Sequence, residues 1–260
     1  MSMTLGAQLY TVREFTKTPE GIEKTLRRIR EMGFRTIQIS AFGPMDPQKL
    51  AELVTDLDLY VCVTHSPFDR MKNDLPALIR EHRMLKCDTI GLGSMPGEYR
   101  SSGEEGFRQF LLDIAPIAHE IREEGLQFAY HNHNFEFARF GGHTGMDLLF
   151  DETDPQEFHF ILDTYWLQMG GVNPPDYIRR AANRMKVCHF KDFAVDGFTP
   201  HFAEVGNGNL DLAECYRACR QSGVRDIVIE QDICPGDPFE SLAVSFENLK
   251  KLAAKEEAQC

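Results

Sequence analysis

The chain is short of positive charge: 28 Lys and Arg stand against 40 Asp and Glu, a formal net charge of −12 over 260 residues. A surface that grips nucleic acid must neutralise phosphates with clustered cations, and no such cluster occurs. Nucleic acid is therefore not an expected partner. No run approaches the roughly 20 consecutive apolar residues a bilayer span needs, and the opening MSMTLGAQLY lacks a charged segment followed by an apolar core. The expectation is a cytoplasmic protein with no membrane partner. The 7 cysteines are odd in number and scattered. Cys62, Cys87 and Cys188 lie in apolar runs, where a thiol behaves as a small hydrophobe. Cys215 and Cys219 are four apart on a predicted helix, with no second pair at zinc-site spacing. All seven are expected as reduced thiols. No Pro/Gly-rich linker divides the chain, so one domain over residues 1–260 is expected.

What is present is an alternation. Short runs rich in Val, Ile, Phe and Tyr predict strands at Leu5–Tyr10, Thr36–Ser40, Tyr60–His65, Thr89–Gly93, Gln127–His133, His159–Asp163, Lys186–Lys191 and Asp226–Gln231. Helical segments stand between them. Thr18 and Pro19 open one that Gly33 closes; Asp46 and Pro47 open the next. A long one ends at Gly125, and others start at Pro174–Asp176 and at Leu210–Asp211. Strict strand–helix alternation calls for a parallel sheet, and roughly 250 residues is the size of a closed (β/α)8 barrel. The competing open, doubly wound sheet announces itself with a Gly-rich loop after its first strand. Here that segment reads TVREFTKTPEG. The fold class predicted is α/β, a single (β/α)8 TIM barrel.

Catalytic residues of parallel barrels project from the C-terminal ends of strands. The last four strands all end in groups capable of chemistry. The fifth ends AYHNHNFEF, with His131 and His133 two apart and thus on one face, and Glu136 in the loop beyond. The sixth ends at Asp163. The seventh brings His189 and Lys191 to one face, and the eighth runs through three apolar residues into Glu230, with Asp232 two further on. Singly, each has an ordinary explanation: Asp163 as a helix N-cap, a histidine as hydrogen-bonded structure, Glu230 as a salt-bridge partner. Together they pose a shared problem, since a buried charge without a partner is costly. A divalent metal held by Asp163, His189, Glu230 and one group from the fifth strand answers it for all four strands at once.

At these residues the chain resembles the xylose-isomerase-like superfamily of sugar phosphate isomerases and epimerases. Its members include D-tagatose 3-epimerase, hydroxypyruvate isomerase, inosose dehydratase and the abasic-site zinc endonucleases. The opening GAQLYTVRE, HSPF after the third strand, YHNHNFEF, HFKDF and EVGNGNLDL carry the likeness across nearly the whole chain. The resemblance implies a metal site closed by Glu, Asp, His and Glu from the last four strands, and Asp163, His189 and Glu230 match the last three. The strand-five Glu, which in sugar epimerases is also one of two acid/base carboxylates, is missing. His131 is the first candidate for that ligand and His133 the alternative, since imidazole binds the same metals. A mixed N/O set suits Mn, Zn, Co or Fe, with Mg disfavoured by the imidazoles.

The function implied is a metal-dependent isomerase or epimerase working through an enediolate of a small keto-sugar, with Glu230, Lys191 and His133 as acid/base candidates. A Lys desolvated near a metal is expected to have its pKa lowered into the range of a base. Gln8, Tyr10, His65, Glu136 and Trp166 are candidates for substrate binding, with Phe68 beside Trp166 as an apolar wall. Gly206, Asn207 and Gly208 read as a plain turn. The alternative is a dehydratase or lyase on a keto-inositol or 3-keto-glycoside, which uses the same stabilised enolate. More remote are a metal-dependent endonuclease and a non-catalytic sugar-binding barrel. A small sugar is the expected partner, and self-association stays open.

Overall fold

In the computed structural model, which describes residues 3–258, eight strands close into a barrel. They are β1 (Thr4–Gln8), β2 (Thr36–Ser40), β3 (Tyr60–His65), β4 (Thr89–Leu92), β5 (Gln127–His131), β6 (Phe158–Asp163), β7 (Val187–Phe190) and β8 (Asp226–Ile229). Each pairs in parallel with its neighbours in chain order, and β1 closes on β8 through the register Thr4 with Asp226 to Ala7 with Ile229. A (β/α)8 TIM barrel is what the alternation predicted.

The helices begin and end where local chemistry directs. Thr18 accepts from the Gly21 amide ahead of Pro19–Glu31, and Asp46 accepts from the Lys49 amide ahead of Pro47–Asp56. A cap of this kind contributes about 1 kcal/mol. Gly33 sits at φ +99° and Gly125 at φ +75°, left-handed stops that a side chain would strain. Along Pro19–Glu31 the buried positions are Ile22, Thr25, Leu26 and Ile29, the stripe that packs onto the sheet. Burying each large apolar side chain contributes roughly 1.5–3 kcal/mol, and the main core is this layer between helices and strands. A separate apolar cluster, Cys62, Val63, Ala129, Ile161, Val187 and Val228, comes from strand residues alone.

Several boundaries differ from the sequence reading: β4, β5, β7 and β8 end one or two residues short of the predicted runs, so His133, Lys191 and Glu230 follow their strands and do not share a strand face with His131 or His189. The first strand stops at Gln8, because its side-chain oxygen accepts from the Tyr10 amide at 3.2 Å and the chain turns into a 3-10 helix, Leu9–Phe15. Gln8 and Tyr10 therefore do not share a strand face. After β7 the chain folds into a hairpin, Asp192–Asp196 against Thr199–Ala203, which no pattern announced. The glycine turn behind it is organised by Asp192, whose carboxylate accepts from the amides of Phe193, Gly206, Gly208 and Leu210. Among the described residues six cysteines are free thiols; Cys260 lies outside them. No helix of the described residues is long and apolar enough to cross a membrane.

Candidate metal centre

The C-terminal ends of β5 to β8 converge. His131, Asp163, His189 and Glu230 are all buried, and each offers one ligand atom such that the four lie within 4.8 Å of one another. For the two histidines, hydrogen bonds on the far side of the ring decide which atom that is. His131 Nδ1 stands 3.0 Å from the Gly93 carbonyl. A carbonyl only accepts, so Nδ1 carries a proton, and in the neutral ring Nε2 is left as a lone pair, 3.4 Å from Asp163 Oδ2. His189 Nε2 donates to Gln38 Oε1 at 2.7 Å, which leaves Nδ1 as a lone pair 3.0 Å from Glu230 Oε2. Each histidine thus faces a carboxylate acceptor to acceptor. Such a pair repels unless a proton or a metal ion stands between its members.

Asp163 divides its carboxylate. Oδ1 accepts from the Trp166 amide and caps the helix Thr164–Met169, while Oδ2 turns to the cluster. The Asp163 amide is itself held by Asn132 Oδ1 at 3.0 Å. The capping reading of Asp163 holds, and it leaves Oδ2 free to face the cluster, so the two readings set against each other in the sequence do not compete.

Lys191 is the cation already present. Its Nζ lies 3.1 Å from Asp163 Oδ2, 2.9 Å from Glu230 Oε2 and 3.0 Å from Asp232 Oδ2. Burial alone lowers a lysine pKa, but these three carboxylates outweigh it and hold Lys191 above its ordinary value. With no ion in the cluster, this geometry favours an ammonium at Lys191, the opposite direction from the proton-accepting lysine expected beside a metal. Burial raises the carboxyls too, yet Lys191 and His189 bring Glu230 well below the usual carboxylate range, and Lys191 and His131 lower Asp163. Three carboxylates against one ammonium leave negative charge in excess in a buried site, and burial with the Glu230 charge raises Asp232 above its ordinary value. For His131, burial is likewise overcome, by the Asp163 hydrogen bond and the charges of Glu230 and Asp163, so its pKa is raised. The excess pulls in a proton where it has nothing better. A divalent cation offsets it in charge, and the two lone-pair imidazoles with two carboxylate oxygens match it in donor type. The residues fit the group.

A cavity of about 570 Å³ opens above the cluster, with Glu230, Asp232, His131, His133, His65, Tyr10 and Trp166 on its wall. His133 is pushed down to about 3 by burial and by the nearby His131 and Lys191 charges, and His65 well below its ordinary value by burial, His131 and His189. Both rings are neutral at physiological pH. His65 Nδ1 sits at 3.4 Å from Ser40 Oγ and 3.5 Å from Gln8 Nε2.

The other sequence candidates divide. Tyr10, His65, Trp166 and His133 border the cavity, as does Phe68; Gln8 lies beneath, turned to His65. Glu136 does not border it. Its buried carboxylate accepts from the Tyr130 hydroxyl at 2.7 Å and the His133 amide at 2.9 Å, tying down the loop after β5. Gln38 and Asn132 were not picked out, because their partners, His189 and the Asp163 amide, are distant in sequence, and Ser66, bonded to Thr64 two residues away, carries no pattern of its own.

A closed parallel barrel with its titratable residues gathered at the C-terminal rim is the arrangement in which barrel enzymes keep their active sites. The chain belongs to the xylose isomerase-like TIM barrel family, whose model matches residues 26–252. It is 29% identical over 155 residues to an inosose dehydratase of Lacticaseibacillus casei, covering 53% of this chain and 51% of that protein. It is 30% identical over 197 residues to an inosose dehydratase of Geobacillus kaustophilus, covering 67% of this chain and 63% of that one. The chain thus spans about half to under two thirds of the length of these relatives. In fold it resembles a sugar phosphate isomerase/epimerase from Parabacteroides distasonis, with TM-score 0.79 and 22% identity over 96% of this chain and 98% of the other.

Proposed function

We propose that the chain is a divalent-metal-dependent enzyme that takes an α-proton from a small keto-sugar or keto-polyol and completes the reaction by β-elimination. The observation that carries the metal is the facing of two lone-pair imidazoles against two carboxylates within 4.8 Å. When bound, the cation supplies Lewis-acid stabilisation of the negative charge that develops on the carbonyl oxygen. Glu230 borders the cavity as an ionised carboxylate and takes the α-proton. His133, neutral on the cavity wall, is positioned to protonate the departing β-oxygen by relay of that proton or one from water. Lys191 holds Asp163, Glu230 and Asp232 in register and, as an ammonium, donates only.

The sequence put isomerisation or epimerisation first. Elimination moves ahead because the strand-five group, once its Nε2 ligates the cation, has no proton left to transfer: His131 commits Nδ1–H to Gly93 and turns Nε2 to the quartet. A two-carboxylate epimerisation across the substrate loses one of its members. The named activity of the inosose dehydratase relatives supports the same choice. Isomerisation is the second reading, kept by the presence of Glu230, since a 1,2-proton shift needs a single base. An endonuclease is disfavoured by the absence of Lys or Arg on the cavity wall among the described residues.

Metal analysis followed by incubation with ketoses, inososes and 3-keto-sugars in deuterated water tests this. The expected result is metal-dependent deuterium uptake at the α-carbon together with an unsaturated product, both lost in Glu230→Gln and unchanged in Cys215→Ser. Uptake without elimination moves the assignment to an isomerase. Full exchange in Glu230→Gln, or stoichiometric metal with no exchange across the panel, overturns it.

A further inference from the structure

We propose that the cavity takes an uncharged, polyhydroxylated ring and excludes sugar phosphates, and that Ser66 reads one ring hydroxyl as a pure proton acceptor. The inference rests on the cavity being the substrate site and names the class of substrate it admits.

A chain of three hydrogen bonds fixes the direction of Ser66. His82, buried on the helix Leu75–Met84, has Nδ1 2.8 Å from the Leu78 carbonyl. That contact requires an N–H at Nδ1. No carboxylate is among the hydrogen-bond partners of His82, and burial keeps the ring neutral. Its Nε2 is therefore a lone pair, and the Thr64 hydroxyl 2.8 Å away must donate to it. With its one proton committed, Thr64 can only accept from Ser66 Oγ at 2.9 Å. Ser66 borders the cavity with lone pairs alone to offer. A ligand atom that meets it must bring a proton, which a sugar hydroxyl does and a phosphate dianion does not.

Charge points the same way. The cavity wall carries Glu230 and Asp232 and, among the described residues, no Lys or Arg. Lys191 is engaged by three carboxylates. Arg13, beside the rim, lies over the Tyr10 ring and donates Nη1 to the carbonyls of Tyr10 and Asp232. The two short helices that begin at the cavity, Phe68–Asn73 and Gly97–Arg100, each carry an acid in the first turn, Asp69 and Glu98. Apart from the metal, whose charge the quartet's carboxylates offset, a dianion finds no free cation to pair with, and an unpaired one is strongly disfavoured in a partly closed site.

Calorimetric titration of the metal-loaded protein tests both parts. The probes are D-fructose, D-tagatose, 2-keto-myo-inositol and methyl 3-keto-glucoside, set against D-fructose 6-phosphate and D-tagatose 6-phosphate. At least one neutral probe is expected to bind at millimolar concentration, and each phosphate at least about tenfold more weakly than that probe, a gap of one missing charge-assisted contact. A phosphate that binds more tightly than its neutral counterpart, or failure of every neutral probe, overturns the proposal; loss of such phosphate binding in Arg13→Ala would assign it to that guanidinium. With the best neutral probe, Ser66→Ala should bind roughly five- to tenfold more weakly. His82→Ala should do the same, and the double variant no worse than either single one, because the residues act as one chain. Additive losses, or none in Ser66→Ala, remove Ser66 from the role; should His82→Ala not fold, Ser66→Ala decides alone. Since binding is read without turnover, neutral binding without deuterium exchange keeps this inference and sinks the enolisation, and exchange with a preference for phosphates does the reverse.

Discussion

Gln38 and His189 stand 151 residues apart in the chain, and the His189 Nε2–H donates to the Gln38 amide oxygen across 2.7 Å. This bond sets the tautomer that aims Nδ1 at Glu230. A partner of this kind behind a metal-binding histidine is worth about 10- to 100-fold in affinity. Gln38→Leu should lower Mn or Zn affinity by that factor in competition with a chromophoric chelator, with the far-UV spectrum unchanged. Unaltered affinity would mean that the ring needs no orienting partner.

Metal addition should stabilise the fold. Free ion at a hundred times its dissociation constant contributes about 2.7 kcal/mol, which in a chain of this size raises Tm by roughly 5–10 °C. Mn, Zn, Co and Fe should act and Mg act less, and His131→Ala should remove most of the shift. An equal shift with Mg, or one retained in the variant, would place the ion elsewhere.

Lys191→Met removes the ammonium that faces Asp163, Glu230 and Asp232 and so adds to the uncompensated negative charge of the site. Breaking a buried ion pair from one side costs about 3–5 kcal/mol, so the metal-free variant should melt well below the wild type. Added metal should recover more of that loss than the wild type gains. A smaller metal-induced shift in Lys191→Met than in the wild type contradicts this excess of negative charge.

Glu136 carries a pH signature. Burial pushes its carboxyl up to about 7 from 4.5, against the opposing hydrogen bond from Tyr130. A folded-state pKa above the unfolded value means the folded protein holds the proton more tightly. The stabilisation is therefore complete below about pH 4.5 and lost as pH rises through 7, a total on the order of 3 kcal/mol. Glu136→Gln stays neutral throughout. Urea denaturation across this window should show the stability of the wild type declining relative to the variant as pH increases; a constant difference contradicts the raised pKa.

Much of this was legible in the sequence because barrel strands are local objects. The runs at Thr36–Ser40 and Tyr60–His65 coincide with β2 and β3 to the residue, and apolar runs ending in His, Asp or Glu marked where four strand tips would meet. Gln8 and Tyr10 were misplaced on one strand because a glutamine folding back on its own backbone leaves no trace in a period-two pattern. Gln38 and His82 escaped for a different reason. A polar residue inside a strand or on the buried side of a helix declares a need for a partner but not its identity, and here the partners are 151 and 18 positions away. The ammonium state of Lys191 depends on three acids from two other strand ends and could be read only once those ends were in place.

The divided carboxylate of Asp163 has an optical consequence. One oxygen belongs to the quartet and the other anchors the amide of Trp166, and the chain contains a single tryptophan. The backbone that carries the indole is thus fixed by the carboxylate beside the spot where an ion would lodge, and its ring forms part of the cavity wall. Because it is the only indole in the chain, its emission in an unlabelled sample should respond both to metal addition and to a sugar entering the cavity, with no other tryptophan to dilute the signal.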